Sequence, residues 1–334
     1  MSAITLPFLA AALASVALLA ALRRFLPRGF LVAAVNERSN HSQPARQIGG
    51  LALVPVILVG LVLFGGAAGL SAHFLFHVCL AALLLWIIGF LDDRHHLPEY
   101  VRLTAQAVAS ILAIHGLGAD FQLLPEVLPL LAERVLLVIA LIYFINLTNF
   151  MDGLDLMVVS GLGIPLLAAA GLAAVGLAAM GGGLIAALAA GALAGFAFFN
   201  RPRALIFLGD SGSLPLGLLS GLVFFMLARD ISIWIGLVLP LFFICDATST
   251  LILRLLAGEN IFAAHSKHAY QLARRAGWPV WRIIGSVAVL NLLLIVCAVA
   301  MADGGLHRPA IFVGALVLTG IVLRALRTRK PRAP

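Results

Sequence analysis

The sequence predicts an all-α protein that crosses a membrane many times. Three observations predict it: apolar runs of about 20 residues recur from end to end, charge is scarce, and most of the charge sits in alternate connecting segments. Of 334 residues, 63% are hydrophobic and 11% charged, with a mean hydropathy of +1.11. A soluble domain is nearer half apolar and a quarter charged. In hydrocarbon every backbone N–H and C=O must be satisfied within the segment, so an apolar run of this length reads as a helix.

Taken in order, the runs place spans near 4–22, 48–66, 71–91, 101–117, 134–150, 156–176, 180–199, 214–228, 231–252, 282–302 and 309–326. This is a polytopic bundle of about 11 spans, ten being the alternative count. The first run has no positive residue before it, whereas Arg23, Arg24 and Arg28 follow it. That order is the reverse of a secretory leader, so the run is expected to be a retained span with its N-terminus outside. The pair 156–176 and 180–199 is rich in Gly and Ala and is read as joined by "GLAAMGGG". Cys79, Cys245 and Cys297 all lie in apolar runs and imply no disulfide framework.

Sidedness follows from the basic residues. With the N-terminus outside, 19 of the 22 Lys and Arg fall on inner segments, and only Arg134, Arg229 and Arg308 fall outside. That is the positive-inside bias, and it sets the C-terminus in the cytoplasm. The chain reads as one integral-membrane domain over 1–334, with a basic tail over 325–334. The net charge of +8 therefore argues for a basic membrane face, suited to headgroups and phosphorylated ligands, rather than for a nucleic-acid surface.

Five inner segments carry the unusual chemistry: "NERSNHSQPARQIGG" (36–50), "LDDRHHLPE" (91–99), "NLTNFMDGLD" (146–155), "NRPRALIFLGDSGS" (200–213) and "ENIFAAHSKHAYQLARR" (259–275). Eight of the 14 carboxylates lie on this side. A carboxylate at the edge of hydrocarbon is costly unless paired, solvated or metal-bound. Asp92 and Asp93 are adjacent and repel each other, so one needs a cationic partner or a raised pKa; such a pair suits Mg²⁺ or a proton taken from a lipid phosphate. Asn146, Asn149, Asp152 and Asp155 recur every three residues, which puts them on one side of a helical turn. A helix cap needs one such residue rather than four in register.

"FLGDSGSLPLG" reads as a Gly-rich turn opening a helix, in which Ser211 and Ser213 cap a span starting at Leu214. Free N–H groups there suit phosphate oxygens, and Asp210 suits a divalent cation. It is no Walker loop, because the Lys of that motif is missing. "AHSKHAYQ" supplies His265, Lys267, His268 and Gln271 in a basic segment fit for phosphate, and Arg38, His41 and Arg46 precede a Gly-Gly span start.

In this order the segments resemble the polyprenyl-phosphate N-acetylhexosamine-1-phosphate transferases, glycosyltransferase family 4. The resemblance rests on "DD…LP", "NxxNxxDGLD", "GDSGSLPLG" and "HxxHxYQ" together, and "HSKHAYQ" is similar to the O-antigen and common-antigen branch rather than to the peptidoglycan translocase branch. It implies transfer of N-acetylhexosamine 1-phosphate from a UDP-sugar to undecaprenyl or a similar polyprenyl phosphate, with release of UMP, in the bacterial inner membrane with the site on its cytoplasmic face. The implied cofactor is Mg²⁺, with Mn²⁺ the alternative. The implied pathway is O-antigen, lipopolysaccharide or related envelope synthesis, and dimers occur in the family, so a homodimer is an expectation.

By the same resemblance Asp92 and Asp93 stand near the lipid phosphate, with Asp92 the proposed base. Asp210 is the principal metal ligand, helped by Asp152. Gly153, Leu154, Asp155 and Phe207 contact uracil, and His265 and His268 lie near the diphosphate. Asn146, Asn149, Arg38, His41, Arg46 and Lys267 complete the expected substrate contacts. The sequence departs from the pattern at Leu156, where the family carries Gly after DGLD, at "PARQIGG" for "PTPRGGG", and at "HSKH" for "HRSH".

Three other classes fit less well. A prenyltransferase wants a second Asp-rich box, and a CDP-alcohol phosphotransferase wants an Ala-Arg after its DG motif. A secondary transporter wants charges at the bilayer midplane. Here nearly all charges sit at span ends; Asp246, within "FFICDATST" and expected to pair with Arg254 or line a lipid groove, is the exception.

Overall fold

The computed structural model describes residues 2–32, 45–260 and 265–328. Among them there are helices and two isolated bridges but no strand. The apolar runs become α1 (Ser2–Phe25), α2 (Gly49–Phe64), α3 (Ala72–His95), α4 (Glu99–Gly116) and α5 (Leu130–Phe150). A π-helical turn at Val159–Gly163 then leads into α6 (Ile164–Ala174). There follow α7 (Met180–Asn200), α8 (Asp210–Asp230), α9 (Ile233–Val238), α10 (Leu241–Leu256), a short α11 (Ala269–Arg275), α12 (Val280–Ala300) and α13 (Arg308–Arg327). Seven of these are long and apolar enough to cross a membrane: α1, α3, α5, α7, α8, α12 and α13.

Two helices form the centre. In α8 and α7, 89% and 83% of the span is buried, against 22% in α13, which leaves most of its apolar surface outward. A helix apolar all round belongs inside a bundle. The Gly and Ala of α7 let α1 lie directly on it: a Cβ on Gly191 would meet Phe8 O at 2.2 Å, the close backbone approach that small residues permit between helices in lipid.

Three boundaries differ from the sequence reading. Gly181, Gly182 and Gly183 are the first turn of α7 rather than a linker, because they pack closely on Leu70, Met226 and Ala173. The span expected at 231–252 is broken into α9 and α10 at Leu239–Pro240, where Pro cannot donate to the helix ladder. Finally, α8 begins at Asp210, a turn before Leu214. Ser211 and Ser213 are therefore buried inside its first turn instead of capping it.

The first turn of α8 is wedged between α2 and α3, and glycine makes this possible. A Cβ on Gly50 would fall 2.1 Å from Gly212 N, and one on Gly89 would fall 2.4 Å from the Asp210 carbonyl carbon. Backbone atoms cannot swing aside. Gly50→Ala is expected to cost about 1–3 kcal/mol by overpacking, read as a lower unfolding temperature in detergent. Beside this wedge the chain before α2 runs along the segment before α8: Phe207 N–H donates to Arg46 O at 2.9 Å, and Gly49 and Gly50 donate to Phe207 O and Leu208 O at 2.9 and 2.8 Å.

Candidate active site

Polar segments from distant parts of the chain meet at one end of the bundle. The C-terminal end of α5 and the N-terminal ends of α4 and α8 surround a cavity of about 590 Å³, which His265, His268 and Gln271 also line. Asp92 and Asp93, at the end of α3, are not among its lining residues. Asp152, Asp210, Asn146, Asn149, Gly153, Phe207, His265 and His268 line it, as do Arg102, Gln106, Gln47 and Gln271.

Asp210 is held by two side chains. Its Oδ1 accepts from Asn149 Nδ2 at 2.8 Å, and its Oδ2 lies 3.4 Å from Arg102 Nη1. The same guanidinium lies 3.3 Å from Asp92 Oδ2, while Asp92 Oδ1 accepts Leu97 N–H at 2.7 Å. Asp92 thus closes the turn from α3 into α4 and shares one cation with Asp210. Asn149 Nδ2 also donates to Ser213 Oγ at 2.9 Å, and Asn146 exchanges amide hydrogen bonds with Gln106 at 2.6 and 3.2 Å. The stripe of Asn and Asp therefore ties α5 to α8 and α4.

Asp93 faces differently from its neighbour. Its two oxygens accept the N–H groups of Asp210 and Ser211 at 2.8 and 3.0 Å, which makes it the N-terminal cap of α8, supplied by another helix. Gly209 permits this: its φ of +73° is left-handed, and a Cβ there would lie 2.7 Å from Asp93 Oδ2.

Asp152 follows α5 and points into the cavity. Burial, and then the charges of Asp210, Asp93 and Asp155, push its carboxyl well above the usual range. Clustered carboxylates of this kind call for a cation. The donor set is hard oxygen with amide support, which fits Mg²⁺; Asp210 and Asp152 are the residues that would hold it.

The turn after Asp152 is set by two partners. Tyr270 Oη accepts Gly153 N–H at 3.1 Å and donates to Phe150 O at 2.9 Å, so the buried phenol of α11 latches the end of α5. Leu156 keeps the left-handed backbone that a Gly would favour, at φ +59°. Asn200 Oδ1 holds it there by accepting Leu156 N–H at 2.7 Å. Leu154 is core, and buried Asp155 accepts Ala204 N–H at 3.3 Å beneath the 201–207 segment, so neither lines the cavity.

The His residues form the opposite wall. His268 caps α11 and is 2% exposed, and its ring stacks between Phe150 and Tyr270 at centroid distances of 6.0 Å. Burial, then Arg327 and Arg254, pull its pKa down to about 4, and His265 is likewise pulled to about 4 by burial and the neighbouring His268. Both are neutral at pH 7, so they offer hydrogen bonds and not positive charge. The unfolded chain, with an ordinary imidazole, takes up protons first as pH falls. Stability from this source is complete above about pH 6.5 and declines toward pH 4, by on the order of 3 kcal/mol for His268. Melting in detergent across that range should show the decline, and His268→Gln should flatten it.

The remaining expected contacts lie elsewhere. Lys267 pairs with Glu259, outside the cavity. The Arg46 guanidinium reaches the carbonyls of Arg23 and Phe30 at 3.3 Å each, leaving its neighbour Gln47 to line the site. Arg38 and His41 lie outside the described residues. Asp246 pairs with Arg327 at 3.2 Å and not with Arg254, which holds Glu259 instead. Sequence reasoning missed Arg102 and Gln106. Both are polar residues in the first turns of α4 on the cavity side, but Arg102 was counted only as a topological charge.

Fold and site together define an integral membrane protein with a carboxylate-lined cavity at one end of its bundle. The family model for glycosyl transferase family 4 matches residues 75–228. Decaprenyl-phosphate N-acetylglucosaminephosphotransferase of Mycobacterium tuberculosis (strain ATCC 25618 / H37Rv) is 27% identical over 329 residues, covering 87% of this chain and 80% of the relative. Phospho-N-acetylmuramoyl-pentapeptide-transferase of Enterococcus hirae is 30% identical over 254 residues, covering 71% and 77%. A probable undecaprenyl-phosphate N-acetylglucosaminyl 1-phosphate transferase of Bacillus subtilis (strain 168) is 27% identical over 296 residues, covering 79% and 78%. The chain belongs to glycosyl transferase family 4.

Proposed function

We propose that the protein transfers N-acetylhexosamine 1-phosphate from a UDP-sugar to a polyprenyl phosphate such as undecaprenyl phosphate. UMP leaves and polyprenyl-diphosphate-N-acetylhexosamine forms. One observation carries this reading: Asp152 and Asp210, 58 residues apart in the chain (210 − 152), line one cavity with Asn149, Arg102, His265 and His268. The relatives named above, three enzymes that by name move a phospho-sugar, support the substrate class.

Phosphoryl transfer asks for positioning and charge neutralisation more than covalent chemistry from the protein. Mg²⁺ held by Asp210 and Asp152 would neutralise diphosphate charge. The lipid phosphate is largely dianionic at neutral pH, its second pKa being about 6. Asp92 is therefore better suited to holding Arg102, and through it the acceptor, than to removing a proton. Arg102 reaches both Asp92 and Asp210 and sits where a phosphate oxygen between them would be met. Neutral His265 and His268 donate or accept on the diphosphate side, and Phe207 with Gly153 supplies an aromatic face and a bare backbone for the base. An initiating role in O-antigen or related envelope synthesis, at the cytoplasmic face of a bacterial inner membrane, rests on the "HSKH" segment and the distribution of basic residues.

The test is UMP release by purified protein given polyprenyl phosphate, Mg²⁺ and a panel of UDP-N-acetylhexosamines. Release with one or two of the sugars, abolished by EDTA, is expected. Full turnover in EDTA would defeat the metal assignment, and no release with any donor would defeat the activity.

A further inference from the structure

The end of the bundle opposite the carboxylates carries three histidines that this chemistry leaves unused. His73 and His77 stand four residues apart at the start of α3, so the helical repeat puts them on one face. His115 is in the last turn of α4, which runs back alongside α3. One ring nitrogen from each histidine lies within 4.8 Å of those of the other two. The ring centroids are 4.2, 4.8 and 5.1 Å apart. The two helices close up here because Gly116 has no side chain: a Cβ would meet His77 Cβ at 3.0 Å.

Hydrogen bonds settle where the protons are on two of the rings. His77 Nδ1 lies 2.8 Å from His73 O, and His73 Nε2 lies 3.2 Å from His115 O. A carbonyl oxygen only accepts, so both of those nitrogens carry hydrogen. His77 Nε2 and His73 Nδ1 keep their lone pairs. An imidazole oriented by a backbone carbonyl on one nitrogen, with the other free, is the form in which histidine binds metals.

The donor set consists of imidazole alone. It suits Zn²⁺, Cu²⁺ or Ni²⁺ and not the hard cations Mg²⁺ and Ca²⁺. Tetrahedral Zn–N bonds of about 2.0–2.1 Å need nitrogens about 3.4 Å apart. The exposed His73 and His115 side chains can swing that far, and their exposure leaves a fourth position for water. We propose that His73, His77 and His115 form a binding site for a transition-metal ion of the zinc class. Such an ion would clamp α3 to α4 at the end remote from the cavity. Asp92 stands 19 residues further along α3, about 28 Å away at 1.5 Å per residue.

The experiment uses the full chain in detergent, with any affinity tag removed and bound metal stripped by chelator, titrated with Co²⁺ and then Zn²⁺. One equivalent of Co²⁺ should give the visible bands of a low-coordinate nitrogen site, and Zn²⁺ should displace it. His73→Gln, His77→Gln and His115→Gln should each weaken binding by at least about tenfold, as loss of a ligand requires, while Asp210→Asn leaves it unchanged. His73 and His115 are exposed, so their variants are expected to elute and melt like the parent without metal and to isolate the ligand effect. Absence of one-equivalent binding at micromolar metal, or binding undiminished in the triple variant, would overturn the site.

Discussion

Asp210→Asn is expected to lower UMP release by about a thousandfold, roughly 4 kcal/mol of transition-state stabilisation, while leaving the fold intact. The two parts of this result come from different atoms. The helix start depends on the backbone N–H of residue 210, which Asp93 accepts at 2.8 Å, and the substitution leaves that N–H in place. What changes is the side chain. An amide keeps the size and one acceptor, but it loses the charge that faces Asp152 and that a divalent cation needs. Mg²⁺ binds through one or two carboxylates plus substrate phosphates, and the charge stabilisation a bound ion supplies is worth several kcal/mol. Arg102 remains beside Asp92, so the acceptor side of the site keeps its cation. Initial rates of UMP release at several Mg²⁺ concentrations, alongside melting temperatures, separate the two parts. A variant retaining a tenth of the parent rate would remove Asp210 from the metal site.

Much of the scaffold was legible in the sequence because lipid leaves a long apolar run one solution. The same physics exposed Asp152 and Asp210, since carboxylates at the edge of oil are conspicuous in a chain this poor in charge. Pairing between remote segments was less legible. Nothing local in "LDDRHH" says that Asp92 turns to α4 while Asp93, one residue on, caps a helix 117 residues later in the chain. Adjacent residues near a helix end point about 100° apart, so identical side chains reach different neighbours. Leu156 is the converse case. The sequence departs from the family glycine there, yet the backbone keeps the left-handed turn, held by Asn200 through the Leu156 N–H. A residue of the wrong type for a turn does not abolish the turn when the strain, about 1–2 kcal/mol, is offset by a partner from another helix.

Asp246→Ala is expected to cost about 3–5 kcal/mol of stability, the usual cost of removing one partner from a buried ion pair. Asp246 has no exposed surface. Its Oδ1 receives Arg327 Nη2 at 3.2 Å, Ala269 N–H at 2.8 Å and Thr250 Oγ1 at 3.3 Å. One carboxylate therefore joins α10, the start of α11 and the end of α13. The basic end of α13, which the sequence reading treated as a topology signal, is in this sense part of the site's support. Losing Asp246 strands the Arg327 charge on Ser249 and Thr250 and frees the N–H of Ala269, the residue after His268. His268 and Tyr270 then lose the anchor that sets the cavity wall, so UMP release should fall together with the melting temperature. The double variant Asp246→Ala, Arg327→Ala should be less damaged than the sum of the singles, because it removes the stranded charge. A carboxylate that carried protons or ions through the bundle would behave differently. Asp246→Asn, which keeps an acceptor for Ala269 N–H, would then abolish function without loss of stability, and that outcome, with Asp210 dispensable, would favour transport over phospho-sugar transfer.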